Sequence, residues 1–252
     1  GLTKLDNSAR LECLKRLQKQ NKGIKMNKFF SNSDKVKILG LSGSPRGAES
    51  NSEKMLNTCL AWAVKYGAET KMIRLSEKQI LPCEGCYSKT QDGAGCVYPC
   101  IHDKDDTAEI LTAIAEANGL VIATPVYWGS ASSAIQVVLE KMVSLENNQP
   151  YSLLGKSAVL IASQDSDGAA MVCGQLAWAL NHMGIMVLPW AMIYKPSILN
   201  NPMARFGLRL LRYGKLDWID RTIERAGRNI ALVSQMLKGF DFEDKHIPEH
   251  KN

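Results

Sequence analysis

The chain has 252 residues, 45% hydrophobic and 22% charged, which suits one sizeable soluble domain with extensions and excludes a disordered or fibrous composition. A net charge of +6 is too mild to demand nucleic acid, though it suits an anionic ligand, and no apolar run is long enough to read as a membrane span. Seven cysteines, an odd number in a chain too large to need disulfide staples, argue against a secreted scaffold; with no signal-type apolar core at the N-terminus, a reducing, cytoplasmic setting is expected.

Residues 1–34 are basic and polar, and Leu11, Leu14 and Leu17 suggest one short amphipathic helix in an N-terminal arm. "VKILGLS" at 36–42 is an apolar run bounded by turn residues and predicts a buried strand. A Ser/Gly-rich loop follows, then a helical pattern over 52–66, a strand at 70–75 and the cysteine-rich loop "PCEGCYSKTQDGAGCVYPC" at 82–100. Acidic residues open a predicted helix at 105–117, as the helix dipole favours. Strands are predicted at 119–127, 156–163 and 184–192, with helices at 130–146 and 169–183 between them. Strand and helix alternate five times, which implies a parallel α/β sheet with helices on both faces.

After Pro196 the pattern changes to an amphipathic helix near 217–238, with Trp218, Ile219, Ile223, Ile230, Val233 and Leu237 on its apolar face. Arg205, Arg209 and Arg212 read as a solvated face, and the tail from 241 is expected to be disordered. The expected division is an arm over 1–34, a core domain over 35–195, and a helical extension with tail over 196–252.

In an open parallel sheet, ligands sit at the carboxyl ends of the strands. The loop "LSGSPRGAESNS" after the first strand offers the hydroxyls of Ser42, Ser44, Ser50 and Ser52, the charge of Arg46 and the free amides of a helix start. It has neither the Gly-Lys-Ser/Thr of a nucleotide P-loop nor the G-x-G-x-x-G fingerprint, and suggests the terminal phosphate of a mononucleotide. The plainer alternative is a surface loop with a helix cap.

The loop "TPVYWGSASS" at 124–133 holds Pro125, Val126, Tyr127, Trp128 and Gly129, and a flat ligand or a hydrophobic cap over the sheet explains its two large aromatics equally well. The third loop, Ser163 to Gly168 with Asp165, could hydrogen-bond the edge of a heterocycle or cap the next helix.

Cys83, Cys86, Cys96 and Cys100 follow the spacing C-x2-C-x9-C-x3-C, which leaves an iron–sulfur cluster, zinc and no metal all open. Cys13, Cys59 and Cys173 fall in helical patterns and read as small core residues; His102 stands loosely beside Cys100.

"GSPRGAESNS" and "TPVYWGSASSAIQ", taken as a pair, resemble the flavodoxin-like NADPH-dependent FMN reductase family, which includes iron–sulfur flavoproteins; the resemblance covers roughly 36–195. It implies a five-stranded sheet of order 2-1-3-4-5 with FMN at the point where strand order reverses. Ser44, Arg46, Ser50, Asn51 and Ser52 would hold the FMN phosphate. Pro125 to Gly129 would border the isoalloxazine ring, and Ser163 to Gly168 would flank its other edge.

The resemblance further implies hydride transfer from NAD(P)H to the flavin, reduction of a small-molecule acceptor such as a quinone, and a homodimer or homotetramer. No catalytic side chain is nominated, since hydride transfer to a flavin needs no general acid or base. The alternatives are an iron–sulfur electron carrier between protein partners and a non-catalytic flavin-binding module. The cysteine loop is expected near the flavin edge. Cluster-bearing members carry a more compact run, and Lys89 stands where their third cysteine falls, so a [4Fe-4S] cluster stays one alternative among three.

Overall fold

The strands expected from the apolar runs pair as one sheet. β1 (Lys37–Ser42), β2 (Glu69–Arg74), β3 (Gly119–Tyr127), β5 (Ser157–Gln164) and β6 (Met186–Pro196) are parallel in the order β2-β1-β3-β5-β6, while the two-residue β4 (Ser130–Ala131) pairs antiparallel with β3. Counting the parallel strands alone, this is the expected 2-1-3-4-5 order. The computed structural model describes residues 35–101, 104–149, 152–196, 201–203, 206–207, 218–238 and 240; the arm with Cys13, His102, Arg205, Arg209, Arg212 and the tail lie outside these.

The central strands β1, β3 and β5 are buried nearly end to end because helices cover both faces. On one face lie α1 (Asn51–Lys65) and α6 (Trp218–Leu237); on the other lie α2 (Thr107–Glu116), α3 (Ser133–Lys141), α4 (Val143–Asn148) and α5 (Ala169–His182). The sheet therefore separates two apolar clusters, one under each helical layer.

Two expected helices differ in detail. The stretch 130–146 is not one helix: Ser130 and Ala131 pair with Tyr127 and Val126, and α3 and α4 meet at the buried Met142. On α6, Ile219, Ile223 and Ile230 face the core as expected, but Trp218 is 52% exposed. The α6 face is completed by Ala226, Gly227, Ala231 and Ser234, residues too small to stand out in a hydrophobic pattern. They let α6 approach α1 closely: a Cβ at Gly227 would fall 2.7 Å from Trp62 Cβ and closer still to the Cys59 carbonyl oxygen. Cys59 and Cys173 are core residues, and burial pushes both thiols up to about 12, which keeps them protonated and inert.

Candidate functional site

β1 ends at Ser42, which pairs with Arg74 of β2 on one side and Ala123 of β3 on the other. The loop that follows thus starts mid-sheet, where the strand order reverses. Its anchor is a buried carboxylate. Glu53 accepts from Ser42 Oγ and from Arg74 Nε, each at 2.8 Å, so the Ser42 hydroxyl is held by Glu53. Hydrogen bonds to Glu53 and then Glu77 push the Arg74 guanidinium above its ordinary value.

Ser50 caps α1 by accepting from Glu53 N at 3.0 Å and lies 2.9 Å from Ser52 Oγ; Ser44 Oγ accepts from Arg46 N at 3.2 Å. Arg46 itself is exposed and Asn51 half-buried, at the helix end where first-turn amides have no acceptor in the helix.

The loop after β1 also touches the start of α3. A Cβ on Gly43 would lie 2.5 Å from Ser132 Oγ and collide with Ile135, so only glycine allows this approach. Ser132 N donates to Thr124 Oγ1 at 2.9 Å, but its buried Oγ has no partner among the described residues. A buried hydroxyl left unmatched costs stability. It marks a position that a ligand oxygen would satisfy.

The second and third loops meet beside it. Pro125 pairs with Ser163 across β3 and β5, and Gly168 approaches Val126 and Gly129. Tyr127 is 46% exposed and Trp128 fully so, with Trp128 held at φ +50. A bulky residue in that region stores strain of order 1–3 kcal/mol, which is found at ligand clamps. Asp165 lies exposed on the third loop. The rim therefore brings together all three loops after β1, β3 and β5.

The sequence profile of the NADPH-dependent FMN reductase family matches residues 36–195. The chain belongs to this family. It is 35% identical over 106 residues to an iron-sulfur flavoprotein of Methanocaldococcus jannaschii, covering 42% of this chain and 51% of that protein. It is 33% identical over 111 residues to an iron-sulfur flavoprotein of Methanosarcina thermophila, covering 44% and 54%. The chain thus spans about half the length of the curated relatives it matches first. Among solved structures, RosB with a bound 8-demethyl-8-formylriboflavin-5'-phosphate intermediate superposes with TM-score 0.63 at 23% identity, covering 81% of this chain and 80% of that one. At that identity the likeness shows the fold.

Away from the three-loop rim, Cys83, Cys86, Cys96 and Cys100 line one cavity of about 30 Å³, closed by the loop itself and by Lys141, Val143 and Ser144. Gly85, with φ +64, turns the chain so that its N–H donates to Cys83 Sγ at 3.5 Å. Cys96 is 8% exposed, and burial, then the neighbouring Cys100, Cys83 and Cys86, push its thiol up. All four are free thiols, and among the described residues no three His, Cys, Asp or Glu side chains stand at metal-holding separations. Lys89 pairs with Glu84 at the surface, 3.3 Å away.

The cavity lies where α3 ends and α4 begins, whereas Ser132 and the aromatic loop lie where α3 starts. At 1.5 Å per residue, the nine residues of α3 set the two apart by about 13 Å. Sequence reading could not show which helix the cysteine loop packs on. It also did not nominate Glu53, Arg74, Ser132 or Lys141. Ser132 sat in plain view in the aromatic loop, while the other three carry residue types that on a helix or strand read as solvated charge.

Proposed function

We propose that this chain is an FMN-dependent oxidoreductase that takes hydride from NAD(P)H and reduces a small acceptor such as a quinone or free flavin. The observation that carries the reading is the Gly43–Ser132 approach: a glycine-only contact beside an unmatched buried hydroxyl, in the crevice where strand order reverses. These residues fit FMN. Ser44, Ser50, Asn51, Ser52 and Arg46 would hold its phosphate at the α1 N-terminus, with Glu53, Arg74 and Ser42 fixing the loop from beneath. Pro125 to Gly129 would border its ring, and Ser163, Asp165 and Gly168 would flank the other edge.

When bound, FMN supplies the two-electron chemistry between NAD(P)H and the acceptor. The chain's own part is to grip the phosphate and orient the ring, with the exposed Tyr127 and Trp128 offering aromatic faces at its edge. The protein would act in the cytoplasm as a homodimer or homotetramer, which sedimentation tests. The functional test is a fluorescence titration with FMN, then NADPH and NADH oxidation with a quinone acceptor. A chain that does not bind FMN sinks the reading. One that binds FMN but oxidises neither nucleotide is a carrier or binding module instead.

A second reading is favoured by the thiol cavity: an iron–sulfur electron carrier, with Cys83, Cys86, Cys96 and Cys100 as thiolate ligands. The N–H···S bond at Cys83 supports it, because such bonds stabilise a thiolate. Anaerobic reconstitution with iron and sulfide tests this. Stoichiometric iron and sulfide retained through desalting support the cluster, and their loss excludes it.

A further inference from the structure

The sheet has a polar cavity at the end away from the three-loop rim. It measures about 290 Å³ and opens where β3 and β5 begin, between the C-terminal ends of α2 and α6. Asn118 and Lys156, the residues just before those strands, line it together with Ser152 and Lys238. Among the described residues, two buried side-chain atoms lack a hydrogen-bond partner. One is Ser132 Oγ at the rim; the other is Ser152 Oγ, in this cavity. A buried hydroxyl left unmatched costs stability, so each such atom calls for an explanation.

The cavity offers donors in excess. Lys156 is 7% exposed, and its Nζ donates to the carbonyls of Ala115, at 2.8 Å, and Ala117. That uses two of the three N–H groups of an ammonium and leaves one. It also means that the α2 carbonyls, which would repel an anion, are already held. Burial lowers the Lys156 pKa to about 8, a cost to its charge that an anion alongside would offset. Asn118 turns Oδ1 to Lys37 N at 2.9 Å, so its amide nitrogen is left to offer two further donors. The Ser234 hydroxyl, by contrast, is taken up by Ser157 Oγ and the Asn118 carbonyl. The described lining holds two lysines and neither aspartate nor glutamate. One water could match Ser152, but it would leave that charge excess unanswered.

We propose that this cavity is a second ligand site, which binds a small oxyanion, a carboxylate or phosphate group, through Ser152 Oγ, the remaining Lys156 N–H, Asn118 Nδ2 and Lys238. The site lies at the opposite end of the sheet from the rim and does not depend on what the rim binds. Its occupant ties Lys156, which closes α2 on one face of the sheet, to Lys238, at the end of α6 on the other. Binding should therefore stabilise the whole domain.

The experiment uses the full chain with excess FMN, so that the loop after β1 does not compete for the probe. The probes are inorganic phosphate and acetate, each against sodium chloride at equal ionic strength, followed by calorimetric titration and thermal unfolding. At least one probe should bind saturably at a single site and, at ten times its Kd, raise the unfolding midpoint by about 3 °C or more beyond chloride. Binding of phosphate alone assigns a phosphate group, and binding of acetate alone a carboxylate. Ser152→Ala and Lys238→Ala should each weaken that binding about fivefold, the size expected of one lost hydrogen bond. The ligand-free midpoint of Ser152→Ala should hold or rise slightly, which keeps this variant usable where Lys156→Met fails to fold. If neither probe binds beyond chloride, the proposal is overturned. Binding that both variants leave unchanged belongs elsewhere on the chain and overturns it too. Failure to take up FMN would count against the flavin reading alone, since the two variants still decide whether the probe sits in this cavity.

Discussion

Ser132 Oγ lies 2.5 Å from the point that a Cβ on Gly43 would occupy, and it is a buried hydroxyl with no hydrogen-bond partner among the described residues. The two residues make opposite predictions. Gly43→Ala drives a methyl into Ser132 and Ile135 and should cost about 1–3 kcal/mol by overpacking, with FMN binding lost. Ser132→Ala removes an unmatched polar group, so stability should hold or rise slightly. FMN affinity should still fall by up to about tenfold, because a hydrogen bond contributes about 0.5–1.5 kcal/mol. Urea unfolding and flavin fluorescence titration separate the two effects. A Ser132→Ala chain with full FMN affinity would remove Ser132 from the site.

Asp105 makes stability depend on acid. Burial pushes its carboxyl up, but hydrogen bonds from Leu81 N, from the Thr107 hydroxyl and amide and from Lys141 outweigh it and hold the group at about 2, against an ordinary 3.8. The folded state therefore binds this proton more weakly than the unfolded chain does. Its contribution is full above the ordinary value and is lost as pH falls through the folded one. A shift of this size corresponds to about 2 kcal/mol. Urea midpoints taken from pH ~4 down to ~2 should fall more steeply for wild type than for Asp105→Asn. Parallel curves would show that the pair carries no such linkage.

How much of this was legible depends on the distance between partners. β1 and β3 announced themselves, because strands buried on both faces are written as apolar runs between turns. A helix cap in the loop after β1 was legible, but not that Ser50 supplies it to Glu53, three residues on. Glu53 was not, because its other partners, Ser42 and Arg74, lie 11 and 21 residues off, and an acid in a first helical turn already has a local explanation. Lys141 reads as solvated until Asp105, 36 residues earlier, is brought beside it. The cysteines were visible as a group; the helix end that completes their cavity was not.

Lys156 predicts a second pH dependence, at the alkaline end. Its Nζ donates to the carbonyls of Ala115, at 2.8 Å, and Ala117, closing the C-terminal end of α2. Burial lowers its pKa from 10.5 to about 8. The unfolded chain keeps that proton to higher pH, so stability should rise between about 8 and about 10.5, by up to about 3 kcal/mol. Lys156→Met removes the buried charge but leaves two carbonyls short of a donor, each costing about 1–3 kcal/mol. At neutral pH these effects nearly cancel, so the slope and not the level is diagnostic. Denaturation from pH ~8 to ~10 should show a rise in wild type that is absent in Lys156→Met. Equal slopes would mean that Lys156 keeps an ordinary pKa in the folded chain.

Gly227 sets two effects of opposite sign against each other. In an exposed helix, alanine for glycine gains about 1 kcal/mol from backbone propensity. On α6 the added methyl would meet Trp62 Cβ at 2.7 Å and press harder on the carbonyl of Cys59. That carbonyl is main chain and cannot swing aside as a side-chain tip would, so α1 and α6 must separate. Overpacking of this kind costs about 1–3 kcal/mol. It would also loosen the layer formed by Ile219, Ile223 and Ile230. The contact should therefore win: Gly227→Ala should lower stability by up to about 2 kcal/mol after the propensity gain is subtracted. FMN affinity should be unchanged, because Ser50 and Glu53 are held by their own cap at the other end of α1. A more stable Gly227→Ala chain would show that the two helices can part at little cost.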